Sequence, residues 1–308
     1  MSSAPFATAT TAATGTRSKR MAVRRPRYGA WLWLCPTLLL LAMFAFWPVL
    51  FGSVLAFTDY QLQGEVQWVG LQNFRDLLED PLFPSSCANS LRFLLLVPLM
   101  QVCAIGLALL VNQPLRGIAW FRTVFYLPVV TTVSVVGIVW GFMLHEQGAL
   151  NFVLERLHLL SQHIDWLQDD RLALLCVMLV TLWRGLGWYM VMYLAALQAV
   201  PAEQLEAARL DGANGWQRFY HITLPHLRPT VALCSLLSLL AALKTWQEVD
   251  VLTQGGPMNS SFTVLYYAYD QGLRHLQFGR GLAASLLVSL LCIALALLLQ
   301  LLRRKENT

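Results

Sequence analysis

The chain has 308 residues, of which 57% are apolar and only 13% charged, and its mean hydropathy is +0.54. A soluble globular domain carries roughly 25% charged and 45–50% apolar residues, so a soluble fold is excluded, as are disordered, collagen-like and disulfide-rich secreted chains. What remains is a polytopic membrane protein, and the net charge of +5 then reports topology and gives no reason to expect nucleic acid.

Residues 1–16 form a Ser/Ala/Thr-rich lead with no helical or strand period, expected to be disordered. Six apolar stretches follow, approximately Ala30–Phe57, Phe93–Val111, Val124–Leu144, Leu172–Leu197, Thr230–Leu252 and Gly281–Leu302. Each is close to the roughly 20 helical residues that cross a bilayer core of about 30 Å. None alternates with the period of a barrel strand, so the fold class is all-α with six transmembrane helices. The first stretch is too long for a signal-peptide core and reads as an uncleaved anchor. Six cysteines (Cys35, Cys87, Cys103, Cys176, Cys234 and Cys292) show no CxxC or metal spacing and read as packing residues, all but Cys87 within the spans. Trp31, Trp33, Trp47 and Trp120 sit near span ends as an interfacial belt, and Gly137-x3-Gly141 permits close helix contact.

Basic residues set the orientation. Arg17, Lys19, Arg20, Arg24, Arg25 and Arg27 precede the first span; Arg116, Arg122, Arg209, Arg218, Arg228, Arg303, Arg304 and Lys305 fall on the same side. The opposite loops hold Arg75, Arg92, Arg156, Arg171, Arg274 and Arg280 with most of the acids, so the bias is fourteen to six and both termini are cytoplasmic. The organisation is a basic cytoplasmic tail (1–29), a transmembrane domain (30–302) with a cytoplasmic loop at 199–229, and a second basic tail (303–308).

Catalytic and nucleotide-binding patterns are absent. The only lysines are Lys19, Lys244 and Lys305, and none follows a phosphate loop; there is no HExxH and no GxSxG. No metal or cofactor is expected, and no enzymatic activity. Glu248 and Asp250 are the only acids near a span interior, too few for a proton relay, so a pump would draw its energy from another subunit.

The loop between spans four and five carries the strongest signal. Pro201 suits a first helical position, Glu203 and Glu206 sit near the positive end of the dipole, and Gly212 ends the helix. A second amphipathic turn from Trp216 to Ile222 follows, and Pro225 and Pro229 are expected to break the chain before span five. Ala207 and Ala208 leave a flat patch for another protein's backbone, with Leu205, Trp216 and Phe219 as anchors. Here the chain resembles a known family. Glu206-Ala207-Ala208, then Gly212, then Ile222-x-Leu224-Pro225 is similar to the EAA loop of ABC-importer permeases, with Asp211 inside the motif. Gly70-x-x-Asn73-Phe74, Phe121-Arg122-Thr123 into Leu127-Pro128, and Leu252-Thr253-Gln254-Gly255-Gly256-Pro257 are similar to segments of the carbohydrate-uptake branch, the maltose/lactose/glycerol-phosphate type.

The resemblance implies a type I importer permease fold, N-in/C-in, and an assembly of two permeases, two ATPase subunits that bind the ATP, and an extracytoplasmic solute-binding protein delivering a sugar. It implies that Glu206, Ala207, Ala208, Asp211, Gly212, Ile222, Leu224 and Pro225 couple the pathway to the ATPase. Counting from the matched segments, it also puts Gly185, Trp188, Tyr189, Ser238, Ala242 and Thr245 beside the substrate. Ala242 and Thr245 stand where the maltose-type permease carries amides.

Arg184 and Lys244 lie within apolar stretches, where a cation costs roughly 2.5–3.5 kcal/mol. Two accounts are open. Lys244 pairs with Glu248 or Asp250; or Arg184 and Lys244 join Trp183, Ser238, Thr245 and Trp246 around a sugar or phosphate pathway. The alternatives at the level of function are a permease for glycerol phosphate or another polar solute, and a self-sufficient secondary carrier.

Overall fold

A computed structural model describes residues 27–61, 65–159 and 162–306. The low-complexity lead and most of the N-terminal basic tail lie outside the described residues. The described part is helical, with two isolated bridges (Thr58 with Trp68, Gln61 with Gln277) in place of strands. Six stretches are long and apolar enough to cross a membrane: Trp33–Leu55, Leu82–Val111, Val133–Arg156, Ala173–Gln198, Gly215–Leu243 and Phe278–Leu301.

Residues up to Leu50 and residues from Phe51 onward form separate compact units. In the first, the helix Arg27–Leu41 widens into a π turn at Ala42–Phe46, where the Trp47 N–H reaches back to the Ala42 carbonyl. Pro48 follows at once. The same spacing recurs in the second unit: a π turn at Phe219–Thr223, the Leu224 N–H donating to the Phe219 carbonyl, then Pro225. A proline ring removes one N–H and crowds the carbonyl four residues back, and a widened turn makes room for both. Pro225 and Pro229 therefore do not break the chain before the fifth span, as the sequence suggested. The helix runs from Gly215 through both to Leu243.

Three further boundaries differ from expectation. The second span starts at Leu82, well before Phe93, and runs through a polar stretch that includes Cys87, in which the Ser85 and Ser86 hydroxyls donate back to the Leu82 carbonyl. It tightens at Leu94–Leu95, where Pro98 cannot donate to the Leu94 carbonyl. The apolar run Val124–Leu144 is two helices, Ile118–Val130 and Val133–Leu144, parted by extended backbone at Thr131 and Thr132. β-Branched residues from Val129 to Val133 weaken the helix there, and hydropathy alone is blind to that. The run Thr230–Leu252 also divides. Its helix ends at Leu243, Lys244 to Trp246 leave helical geometry, and a short helix Gln247–Leu252 restarts.

The fourth span, Ala173–Gln198, is the centre of the packing. It buries Met190 and Tyr193 in one cluster with Met100, Ala104 and Ala108 of the second span and Leu227 and Cys234 of the fifth, Val177 in another with Phe93, Leu96 and Leu243, and Val180 in a third with Val136 and Leu144. Gly187 is needed where the helix Ile118–Val130 passes over it, since a Cβ there would strike the Phe125 carbonyl. On the side assigned to the exterior, Asn73 donates to the Ala56 and Thr58 carbonyls at 2.8 and 2.9 Å, and Asn89 donates to those of Ser260 and Phe262 at 2.9 and 3.0 Å. On the opposite side, Arg122 caps the second span by donating twice to the Val111 carbonyl (2.7 and 3.2 Å). Trp31, Trp33, Trp47 and Trp120 are exposed, as a lipid-facing belt requires.

The expected glycine pair divides in two. A Cβ on Gly137 would meet Val251 of the short helix Gln247–Leu252, its Cβ at 2.9 Å, whereas Gly141 faces open space. Gly137→Ala is expected to destabilise the protein by about 1–3 kcal/mol through overpacking, seen as a lower thermal midpoint in detergent. Gly141→Ala leaves the midpoint unchanged or raises it slightly, as alanine does in an open helical position.

Candidate functional site

The break after Leu243 opens a cavity of about 430 Å³ between the second, fourth and fifth spans. Arg184, Gly185, Trp188, Tyr189, Ser238, Lys244 and Thr245, singled out from sequence, all line it, with Ala242. Leu96, Val97, Met100, Val129, Thr181, Ala241, Gln247 and Glu248 complete the wall. Trp183 and Trp246 do not. Trp183 packs edge-on against Trp140 at 5.4 Å, and Trp246 stacks on Tyr269 at 4.6 Å.

The charges are arranged differently from the pairing expected for Lys244. Arg184 is the residue that meets Glu248, Nη2 to Oε1 at 3.3 Å, with side chains 27% and 11% exposed. Asp250 faces the other way, to Arg274 at 2.7 Å. Among the described residues Lys244 has no carboxylate within ion-pair distance, so its ammonium is the uncompensated charge of the cavity.

The serine and threonine hydroxyls on the wall are spoken for on their donor side. Thr181 donates to the Val177 carbonyl at 2.8 Å, Ser238 to Ser235 at 3.1 Å and Thr245 to Ala241 at 3.1 Å. Each offers an incoming solute lone pairs only. Donors must come from the Arg184 guanidinium, the Lys244 ammonium, the Gln247 amide, the Trp188 indole and the Tyr189 hydroxyl. Such a mixture of donors, acceptors and one broad aromatic face suits a polyhydroxylated solute. Gly185 holds the wall back, since a Cβ would come within 2.9 Å of the Met100 methyl.

The cytoplasmic elbow is built from two interlocking caps. The helix Ala202–Leu210 starts one residue later than expected, with Pro201 as its N-cap. It closes in a Schellman turn: Gly212 at φ +82° donates to the Arg209 carbonyl at 3.1 Å, and Ala213 to that of Ala208 at 2.9 Å. Asn214 and Gln217 then form a capping box, each side chain bonding the other's backbone N–H at 2.8 Å, and the fifth-span helix begins. Ala208, Asp211, Gly212 and Ile222 line a shallow groove here with Ala213, Gln217, Arg218 and His221. Glu206 and Ala207 are exposed beside it, while Leu224 and Pro225 are half-buried in the helix beyond. Leu210 is 90% exposed and Trp216 72%, apolar surface that a lone subunit gains nothing by showing to water.

One helix leads from each side of this elbow to the cavity wall. The description "binding-protein-dependent transport system inner membrane component" belongs to the family model that matches residues 102–307. The chain is a member of that family. It is 31% identical over 289 residues to the lactose transport system permease protein of Rhizobium radiobacter, covering 92% of this chain and 96% of that one. It is also 31% identical over 274 residues to the sn-glycerol-3-phosphate transport system permease protein of Agrobacterium fabrum, covering 86% and 91%. Its fold is that of a solved bacterial ABC transporter involved in the import of the acidic polysaccharide alginate: TM-score 0.79, 24% identity, 91% and 96% covered. The permease is thus a multi-pass inner-membrane protein of an ABC importer that works with a binding protein.

Sequence reasoning did not single out Met100, Gln101, Val129, Thr181 or Gln247. A signal was present for Gln101, the only amide in the apolar run Leu94–Val111. Val129 lies at the end of the helix before one break and Gln247 at the start of the helix after the other.

The Arg184–Glu248 pair makes an asymmetric prediction. Removing one partner strands a largely buried charge, whereas replacing both does not. Glu248→Gln and Arg184→Gln are each expected to lower the thermal midpoint more than the double change Arg184→Met with Glu248→Met. A double variant less stable than either single one would overturn the pairing.

Proposed function

We propose that this permease forms half of the pathway of an ATP-driven carbohydrate importer. It pairs with a second permease, receives sugar from an extracytoplasmic solute-binding protein, and is driven by two ATPase subunits that bind the ATP. The observation that carries this reading is the continuity between elbow and cavity. Tyr189 stands about 14 Å of helix above Gln198, at 1.5 Å rise per residue, and Ser238 stands on the helix that leaves the elbow at Gly215. A rigid-body shift of the elbow is thereby delivered to both walls of the site.

In this reading the ATPase grips the exposed face at Glu206, Ala207 and Ala208, and the groove at Asp211, Gly212 and Ile222. Leu224 and Pro225 root the elbow in the fifth helix. Arg184, Gly185, Trp188, Tyr189, Ser238, Lys244 and Thr245 meet the sugar. The lactose, glycerol-phosphate and alginate transport named for the relatives and the structural neighbour supports polyhydroxylated solutes as the class. The uncompensated Lys244 favours a second reading within it, a polyol bearing a phosphate or carboxylate. A self-sufficient proton carrier is disfavoured because Glu248, the carboxylate on the wall, is held by Arg184.

Gly212→Pro cannot adopt φ +82°, and Glu206→Lys inverts the exposed charge. Both variants are expected to reach the membrane in normal amount yet lose uptake and substrate-stimulated ATP hydrolysis in the assembled transporter. Normal coupling in both would overturn the role of the elbow. Competition for uptake among neutral sugars, uronic acids and glycerol phosphate separates the two solute readings.

A further inference from the structure

Below the cavity, on the side facing the elbow, one amide joins three spans. Gln101 is 6% exposed, and its Nε2 donates to Ser238 Oγ of the fifth span at 2.8 Å. Its Oε1 accepts from the Tyr193 hydroxyl of the fourth span at 2.6 Å, and its second N–H makes a long contact of 3.5 Å to the Cys234 carbonyl. Tyr193 is fully buried and Ser238 nearly so. The amide is satisfied on both its oxygen and its nitrogen, within a cluster otherwise made of Met100, Ala104, Met190, Leu194 and Leu227.

The position of this network matters more than its strength. Met100 precedes Gln101 and lines the cavity, Tyr189 lines it one turn above Tyr193, and Ser238 belongs to both. The two spans that Gln101 holds are the two arms of the elbow. Helices in lipid gain no hydrophobic drive to stay together, and a buried amide that bonds both is a fastener that packing alone does not supply.

We propose that Gln101 is a positioning residue for transport: it locks the fourth and fifth spans to the second, so that movement at the elbow reaches both walls of the cavity as one displacement. Without it the two arms respond separately, and nucleotide events no longer reshape the site in full. This rests on the proposed coupling to an ATPase.

The test reads the cavity directly and needs no knowledge of the solute. Thr181→Cys places a thiol on the cavity wall of the permease in its complete transporter. Its rate of labelling by a water-soluble maleimide, less that of the parent protein, is measured without nucleotide and with ATP plus vanadate. The nucleotide-dependent change in rate is expected to shrink by about 3- to 30-fold in Gln101→Leu, the range spanned by hydrogen bonds between membrane helices. The basal rate of ATP hydrolysis stays within about twofold. Gln101→Glu restores the change, because a carboxyl in this apolar cluster stays protonated and can donate to Ser238 while accepting from Tyr193. A merely structural residue would lower yield or thermal midpoint in Gln101→Leu and leave the nucleotide response intact, which overturns the proposal, as does failure of Gln101→Glu to restore a lost response. Should Gln101→Leu not assemble, Tyr193→Phe deletes one hydroxyl and carries the test, with a partial loss expected and a full response fatal. If ATP plus vanadate leaves labelling unchanged even with Gln101 in place, the coupling reading itself fails.

Discussion

Backbone that leaves the helical ladder inside an apolar run must find its hydrogen bonds within the protein, because lipid offers none. The architecture of this permease follows from how that demand is met after Leu243. The Lys244 N–H stays on the Leu240 and Ala241 carbonyls, and the Thr263 hydroxyl donates to the Thr245 carbonyl at 2.6 Å. Thr263 itself caps the helix Val264–Tyr269, and the Val264 N–H donates to Ser90 of the second span. With these partners in place the chain can turn, present Lys244, Thr245, Gln247 and Glu248 to one cavity, and restart as a short helix packed on Gly137.

This dependence on distant partners explains which features the amino-acid sequence discloses. Chain-local constraints are legible: the length of apolar runs, the left-handed glycine at 212, the basic bias, and the spacing from Glu206 to Pro225 that marks the elbow. The breaks at Thr131–Thr132 and Lys244–Trp246 are not, because each apolar run continues across its break and the groups that make the second one affordable lie elsewhere in the chain. The same holds for the ion pairs. Lys244 and Glu248 are one turn apart on paper, but the short helix swings Glu248 to Arg184, some sixty residues earlier. The seven residues assigned to the pathway nevertheless share one cavity, since the fourth span is straight where it bears four of them and the other three fall at or before the break.

The basic bias also gains a physical refinement. Two of the six arginines on the outer side are neutralised in place, Arg274 by Asp250 and Asp270, and Arg280 by Asp76 at 3.2 Å. Arg274 also lies over the rings of Tyr266 and Tyr269 at 5.6 and 5.7 Å. The Arg274–Asp250 pair ties the short helix Gln247–Leu252 to the turn Asp270–Arg274, and the Arg280–Asp76 pair ties the start of the sixth span to the helix Gln72–Glu79.

Elbow and cavity impose opposite demands on stiffness, and the sequence meets them with different devices. At the elbow the backbone is pinned by short-range caps, two Schellman bonds and a capping box within ten residues. The cavity wall is held by few polar contacts: the Arg184–Glu248 ion pair, the Gln101 amide on Ser238, three hydroxyls turned back on their own helices, and a glycine that leaves room beside Met100. Between them the fourth span carries no proline, while the fifth carries Pro225 and Pro229 immediately after the elbow, eased by a π turn. The fourth span is therefore the arm without a proline break, and in the proposed coupling the fifth would hold its compliance close to the elbow, where a small change of angle would produce the largest displacement at Ser238 and Thr245.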